Sequence, residues 1–100
     1  MEQLKQTVRQ FVEARGWEGQ YALKKDLALS LTLEASELLE CFQWKTSEEA
    51  VTANRAGILD ELADVFIYAI QMADSMDVSI ETIVKEKLIK NARKYPAKSI

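Results

Sequence analysis

Apolar residues recur at helical spacing along most of this 100-residue chain. Leu4, Val8, Phe11 and Val12 fall three or four residues apart, which predicts an amphipathic helix over about 2–15. Gly16 and Gly19 bracket Trp17 and stop it, since glycine weakens helices and supplies turn conformations. A loop is expected from there to about Lys24. A second helix is predicted over about 24–43 and a third over about 54–76. The third carries Ile58, Leu62, Val65, Phe66, Ala69, Ile70, Ala73 and Met76 on one repeating stripe. Between these two helices, Thr46 or Ser47 can cap a short helical turn, with Glu48 and Glu49 near its positive end. Ser79 is the natural N-cap of a fourth helix over about 80–92, and Tyr95-Pro96 ends regular structure. The prediction is an all-α, four-helix-bundle-type fold forming one domain over residues 1–100.

Two acidic pairs break the apolar pattern. Glu34 and Glu37 lie within Leu27–Leu39, and Glu61 and Asp64 lie within Ile58–Tyr68. Residues at i and i+3 share a helix face, so each pair points its carboxylates one way. A carboxylate in apolar surroundings is costly unless a positive group meets it. Few Lys or Arg residues lie near either pair in sequence, so a bound divalent cation is the economical partner. Antiparallel packing of helices two and three can bring all four acids together. Two such charges at 4 Å repel by ~4 kcal/mol at an effective dielectric of 20. Oxygen-only donors favour magnesium, with manganese as the alternative, over zinc. Water attack on a phosphoryl centre is the chemistry that suits such a site. Against this, an ExxE or ExxD spacing alone is common on solvated helices. Glu40 extends the stripe and is either a support for the liganding acids or surface.

Composition narrows the choices. The chain has no histidine, which removes His-dependent triads and His-ligated zinc. The lone Cys41 cannot form an internal disulfide and fits a reducing cytoplasm, where it reads as a small buried hydrophobe beside Phe42. Net charge is −3, so a nucleic-acid polymer is not an expected partner. No apolar run approaches the roughly 20 residues of a membrane span, and the first residues lack a signal-peptide core. Four short helices bury little surface alone, which points to self-association.

Trp17, Trp44 and Tyr68 are candidates to stack on a nucleobase, although helix-flanking tryptophans more often pack. Tyr68 follows Asp64 by one turn and extends the acidic stripe. Lys87 and Asn91 share a face of helix four and can reach phosphate and sugar groups; exposed surface is the competing reading. A non-catalytic metal- or nucleotide-binding bundle and a helical protein-interaction module both remain open on these grounds.

Three segments together carry a resemblance. They are Glu34-Ala35-Ser36-Glu37-Leu38-Leu39-Glu40-Cys41-Phe42-Gln43-Trp44, then Asp60-Glu61-Leu62-Ala63-Asp64-Val65-Phe66-Ile67-Tyr68, then Lys87-Leu88-Ile89-Lys90-Asn91-Ala92-Arg93-Lys94-Tyr95-Pro96. In this order they resemble the MazG-like nucleoside triphosphate pyrophosphohydrolases, and within them the short single-domain subgroup that includes dCTP pyrophosphatases. The resemblance runs from Phe11 to Pro96. It implies an all-α fold, magnesium dependence, and hydrolysis of an NTP or dNTP to the monophosphate and pyrophosphate, in the service of nucleotide-pool house-cleaning. It places the metal-binding acids on Glu34, Glu37, Glu61 and Asp64, and the base-pocket aromatics on Trp17 and Trp44, with Tyr68 beside the ligand. Phosphate and sugar contacts fall on Lys87 and Asn91, and assembly as a homodimer or homotetramer is implied. The chain departs from relatives before helix two. There they often read Phe-His-x-Pro-(Lys/Arg)-Asn-Leu, where this chain has Gln20-Tyr21-Ala22-Leu23-Lys24-Lys25-Asp26-Leu27. It lacks the His and Pro, is one residue longer, and has Asp26 at the Asn position. Base and sugar selectivity therefore do not carry over, whereas the four acids do.

Overall fold

Helix α1, Glu2–Ala14, ends where the sequence says it must. Gly16 takes a left-handed φ of 71°, and the Gly16 and Trp17 amides donate back to the Glu13 and Val12 carbonyls at 3.0 Å each. These bonds satisfy carbonyls that a helix end otherwise leaves open. The computed structural model describes residues 1–98. Within them α1 is followed by a 3-10 helix, Glu18–Ala22, and then by α2, Lys24–Glu40, α3, Ser47–Ser75, and α4, Ile80–Lys94. The all-α class and the four helices are those expected, with no strand among the described residues.

Several boundaries differ from the periodicity reading, each for a local reason. The stretch before α2 is not an open loop, because Gln20 and Leu23 amides close 3-10 turns on Trp17 and Gln20 at 3.0 Å. Helix α2 stops at Glu40 rather than 43, and residues 41–43 continue only as turns. Trp44 then takes a φ of 65°, which no helix accommodates. Helix α3 begins at Ser47 rather than 54, because Thr46 forms a full capping box. The Glu49 amide donates to Thr46 Oγ1 at 3.1 Å, and the Thr46 amide donates to Glu49 Oε1 at 3.2 Å. The expected start near 54 survives as a kink: Asn54 is non-helical at φ −149°, ψ 48°, and its Oδ1 accepts from the Gly57 amide at 3.2 Å. Asn54 thus caps a second helical segment inside α3. A Cβ at Gly57 would sit 2.5 Å from that side chain, so a larger residue there would have to displace the Asn54 cap. Ser79 caps α4 as expected, accepting from the Thr82 amide at 3.3 Å.

Helices α2 and α3 form the main packed pair. They run antiparallel, since Leu27 and Ser30 meet Tyr68 whereas Glu34, further along α2, meets Glu61 and Asp64, earlier on α3. Helix α1 crosses the far end of α3, where Val8, Val12 and Ile70 form the buried apolar cluster, with Tyr21 and Ile80 against it. Polar groups at this junction are paired: Arg9 Nε donates to Asp74 Oδ2 at 2.8 Å, and the Arg9 guanidinium lies 4.1 Å over the Tyr21 ring. Helix α4 stands apart. Past Ile80 it packs substantially on no other element, leaving Ile83, Val84, Leu88 and Ile89 exposed. Cys41 is half-buried, its Sγ donating to the Glu37 carbonyl at 3.6 Å. No described helix is long and apolar enough to cross a membrane.

Candidate metal centre

The antiparallel seam converts two sequence spacings into one cluster. One carboxylate oxygen each from Glu34, Glu61 and Asp64 lie within 4.8 Å of one another. Glu37 is more exposed, yet its carboxyl is within hydrogen-bonding reach of both Glu34 and Glu61. Burial is the main force that pushes the Glu34 carboxyl up to about 7 from an ordinary 4.5; the Glu37 hydrogen bond and the charges of Glu37, Asp64 and Glu61 add to it. The Glu61 carboxyl is raised for the same reasons, burial first and Glu37 second.

No cation among the described residues offsets this crowding. Ion pairs among the described residues join Lys5 to Glu2, Arg9 to Asp74 and Lys85 to Glu81, and none reaches the four acids. Glu34 Oε2 and Glu61 Oε2 are buried with no hydrogen-bond partner. Buried polar atoms are almost always satisfied, so two orphaned carboxylate oxygens in one cluster call for a cation or a donor from outside the chain. The donor set is oxygen only, which suits a hard divalent ion such as magnesium.

The remaining candidates fall in different places. Tyr68 is half-buried one turn beyond Asp64, in a cleft of about 200 Å³ also lined by Gln20, Leu23, Asp26, Leu27 and Ser30. Trp17 sits edge-on to Phe11, with ring centroids 6.2 Å apart, and remains half-exposed. Trp44 is 93 % exposed, so packing within its own chain does not account for it. Lys87 and Asn91 lie on α4, which past Ile80 packs substantially on no other element of the chain. Glu40 is exposed at the end of α2. Sequence reasoning missed Gln20, Ser30 and Gln71. Gln71 is only 2 % exposed and donates through Nε2 to Gln20 Oε1 at 2.9 Å. Ser30 precedes Glu34 by four residues, so the stripe that singled out the acids already contained it.

Known proteins share this arrangement's sequence and fold. The sequence model of the MazG-like family matches residues 29–99. Human dCTP pyrophosphatase 1 is 35 % identical over 102 residues, covering 97 % of this chain and 59 % of its own length. Its bovine counterpart is 34 % identical over 101 residues, covering 96 % and 59 %. The chain thus spans 59 % of the length of these relatives. A pyrophosphatase of known structure from Archaeoglobus fulgidus DSM 4304 superposes with a TM-score of 0.88 at 38 % identity, covering 97 % of this chain and 93 % of that one.

Proposed function

The chain belongs to the MazG-like family, and from that premise we propose that it is a magnesium-dependent nucleoside triphosphate pyrophosphohydrolase. The observation that carries this reading is the convergence of three carboxylates, Glu34, Glu61 and Asp64, from two helices, where the buried Oε2 atoms of Glu34 and Glu61 have no partner. Glu34, Glu37, Glu61 and Asp64 would hold the metal, with manganese an acceptable substitute. When bound, the ion supplies positive charge that offsets both the triphosphate and the water as it loses its proton. The acids do the rest. They orient the water and take its proton, and the α–β anhydride bond breaks to leave a monophosphate and pyrophosphate. The names of the similar proteins, dCTP pyrophosphatase and pyrophosphatase, support this reaction class. Removal of non-standard or excess dNTPs in a reducing cytoplasm is the role that fits it, and the lone Cys41 suits that compartment.

The same reading includes a second copy of the chain. A compact protein of 11.4 kDa exposes about 5,800 Å² by surface scaling, whereas this chain exposes 7864 Å². The radius of gyration is 16.5 Å, against about 13 Å for a compact 100-residue domain. The surplus of about 2,000 Å² per chain is the scale of an obligate homodimer interface. Charge agrees with it: residues 80–98 hold six Lys or Arg against two Glu, and residues 1–79 hold seven against fourteen Asp or Glu. A basic, unpacked α4 seated on an acidic neighbour would carry Lys87 and Asn91 to the substrate, and the exposed Trp44 would meet the base.

Pyrophosphate release from a panel of NTPs and dNTPs with magnesium tests the activity; silence across the panel refutes it. Sedimentation at micromolar concentration tests the assembly, and a monomer that still turns over nucleotide refutes that part. Trp44→Ala should raise KM with little change in kcat, lowering kcat/KM by roughly ten- to a hundredfold if the ring stacks on the base.

A further inference from the structure

Helices α2 and α4 carry matching stripes that nothing within the chain covers. On α2, Leu29, Leu33, Ser36 and Glu40 recur at intervals of four, three and four, all of them exposed. They lie on the side turned away from α3, which Leu27, Ser30 and Glu34 face. On α4 and its cap, Val84, Leu88, Asn91 and Tyr95 recur at the same intervals, with Val84, Leu88 and Tyr95 exposed. Alternating intervals of three and four are the seam along which two helices pack nearly parallel or antiparallel. Each stripe runs from two apolar residues to two that form hydrogen bonds. Laid parallel, Val84 meets Leu29, Leu88 meets Leu33, and the polar ends fall together.

Charges beside the stripes fix the direction. On α2, Lys25 lies to one side of the stripe and Glu37 to the other; on α4, Glu81 lies to one side and Lys87 and Lys94 to the other. In a parallel pair, opposite flanks of the two helices adjoin. Glu81 then comes beside Lys25 and Lys94 beside Glu37, with Lys87 two turns before Lys94 on that side. Antiparallel packing would set Arg93 and Lys94 against Lys24 and Lys25. Asp26 aside, α2 opens on lysines and closes on Glu37 and Glu40, against its own dipole, so its stability does not explain the pattern. The other open stripe, Leu59, Leu62 and Phe66 on α3, has Asp60 beside it and Arg55 to offset it. It offers no net negative charge to the five cations of α4.

The chain's own α4 cannot take this seat. Ile80 is held against Val8, Val12 and Ile70, where α1 crosses α3, and residues 76–79 alone join α4 to α3. Four residues span about 13 Å. A helix on the outer face of α2 stands two interaxial distances from α3, or about 18 Å. We propose that the outer face of α2 seats the α4 helix of a second copy, parallel to it, with Val84 and Leu88 on Leu29 and Leu33, reciprocally in a closed dimer. This deepens the assembly reading above and rests on it, but not on the reaction. It also gives α4 a place at the site: Glu37 borders the seam, so the partner's Lys87 arrives at the edge of the acid cluster.

Disulfide mapping of the full chain in a Cys41→Ala background tests the seam. Leu33→Cys protein mixed with Leu88→Cys protein should cross-link between chains when oxidised glutathione is added, as should Leu29→Cys with Val84→Cys. Leu29→Cys with Leu88→Cys should not. Sedimentation reads the strength of the contact. Leu33→Glu and Leu88→Glu should each weaken the dimer by about a hundredfold or more, since a leucine is lost from both seams. Circular dichroism should show the helices kept, because both side chains are exposed in the single chain. Lys25→Glu should weaken the dimer several-fold, and Glu81→Lys in the same chain should restore it. Cross-linking of Leu29→Cys with Leu88→Cys overturns the proposal, as does its absence from both parallel pairs or a dimer that survives both glutamate substitutions. A monomer in the unmodified protein overturns it together with the assembly reading. A dimer cross-linked as expected that releases no pyrophosphate supports the seam and overturns the reaction alone.

Discussion

Helix α3 carries carboxylates at two seams, and the seams treat them oppositely. Where α3 meets α1, Asp74 is nearly buried but receives the Arg9 guanidinium at 2.8 Å, beside the apolar Val8, Val12 and Ile70 cluster. Where α3 meets α2, Glu61 and Asp64 face Glu34, with Glu37 one turn along, and no cation among the described residues answers them. One seam is closed and self-sufficient; the other keeps crowded negative charge and orphaned oxygens. A protein that needed stability alone would have treated both alike, because unpaired buried charge is expensive. The unanswered seam is the one whose carboxylates could hold a metal ion.

Substitutions at the two seams should therefore fail in different ways. The largest effect is expected at the open one: Glu37→Gln or Asp64→Asn should lower kcat by about a hundredfold or more, since a metal's charge stabilisation is worth several kcal/mol. Metal-free thermal stability should hold or rise in the same variants, because one repelling charge is gone. Full activity in both variants, measured by pyrophosphate release, would erase the distinction between the seams. At the closed seam the signature reverses. Asp74→Ala should cost about 1–3 kcal/mol of unfolding free energy, the scale of a hydrogen bond to a charged group, with kcat at saturating magnesium preserved. Chemical denaturation beside kinetics reads both; an Asp74 variant that is stable but inactive would mean the pair serves the reaction.

A smaller effect should appear with pH. Between about 4.5 and 7 the native Glu34 carboxyl holds its proton longer than the unfolded chain does. The native state therefore binds more protons in that window, and metal-free stability falls as pH rises through it. Below the window the contribution is fully present; above about 7 it is lost. Glu34→Gln should flatten most of the slope, leaving the part due to Glu61, which shifts the same way. Thermal melts of metal-free protein across this range would show it, and an equally steep slope in Glu34→Gln would argue against a crowded cluster.

Much of the acid site was legible in the chain because it depends on short-range geometry. Glu34 with Glu37, and Glu61 with Asp64, share a face by i, i+3 spacing whatever the rest of the molecule does. Helix existence was equally legible from apolar periodicity, and the Ser79 cap from its residue type. Thr46 was recognisable as a cap, but its range was not: the capping box starts a helix that the weak periodicity of residues 47–53 does not announce. Asn54 shows the complementary difficulty. A polar residue before Gly57 looks like surface, and only the fold shows it capping a segment within a longer helix. Gln71 and Asp74 carry the same i, i+3 spacing inside an apolar stretch as Glu61 and Asp64. Spacing cannot tell the two pairs apart, since the difference lies in what arrives from elsewhere.

By itself, then, the sequence determined the helices, the two acidic faces, and the absence of imidazole chemistry, because these follow from spacing within a few turns and from composition. The tertiary structure decided which faces meet. Antiparallel packing of α2 on α3 set Glu34 against Glu61 and Asp64, and the crossing of α1 delivered Arg9 to Asp74 across a separation of 65 residues. It also ordered the cleft from Ser30 and Tyr68 out to Asp26, and held Gln20 by Gln71 across 51 residues. Whether a carboxylate ends paired or unanswered depends on the partner brought to it through space, and local periodicity carries no information about that partner.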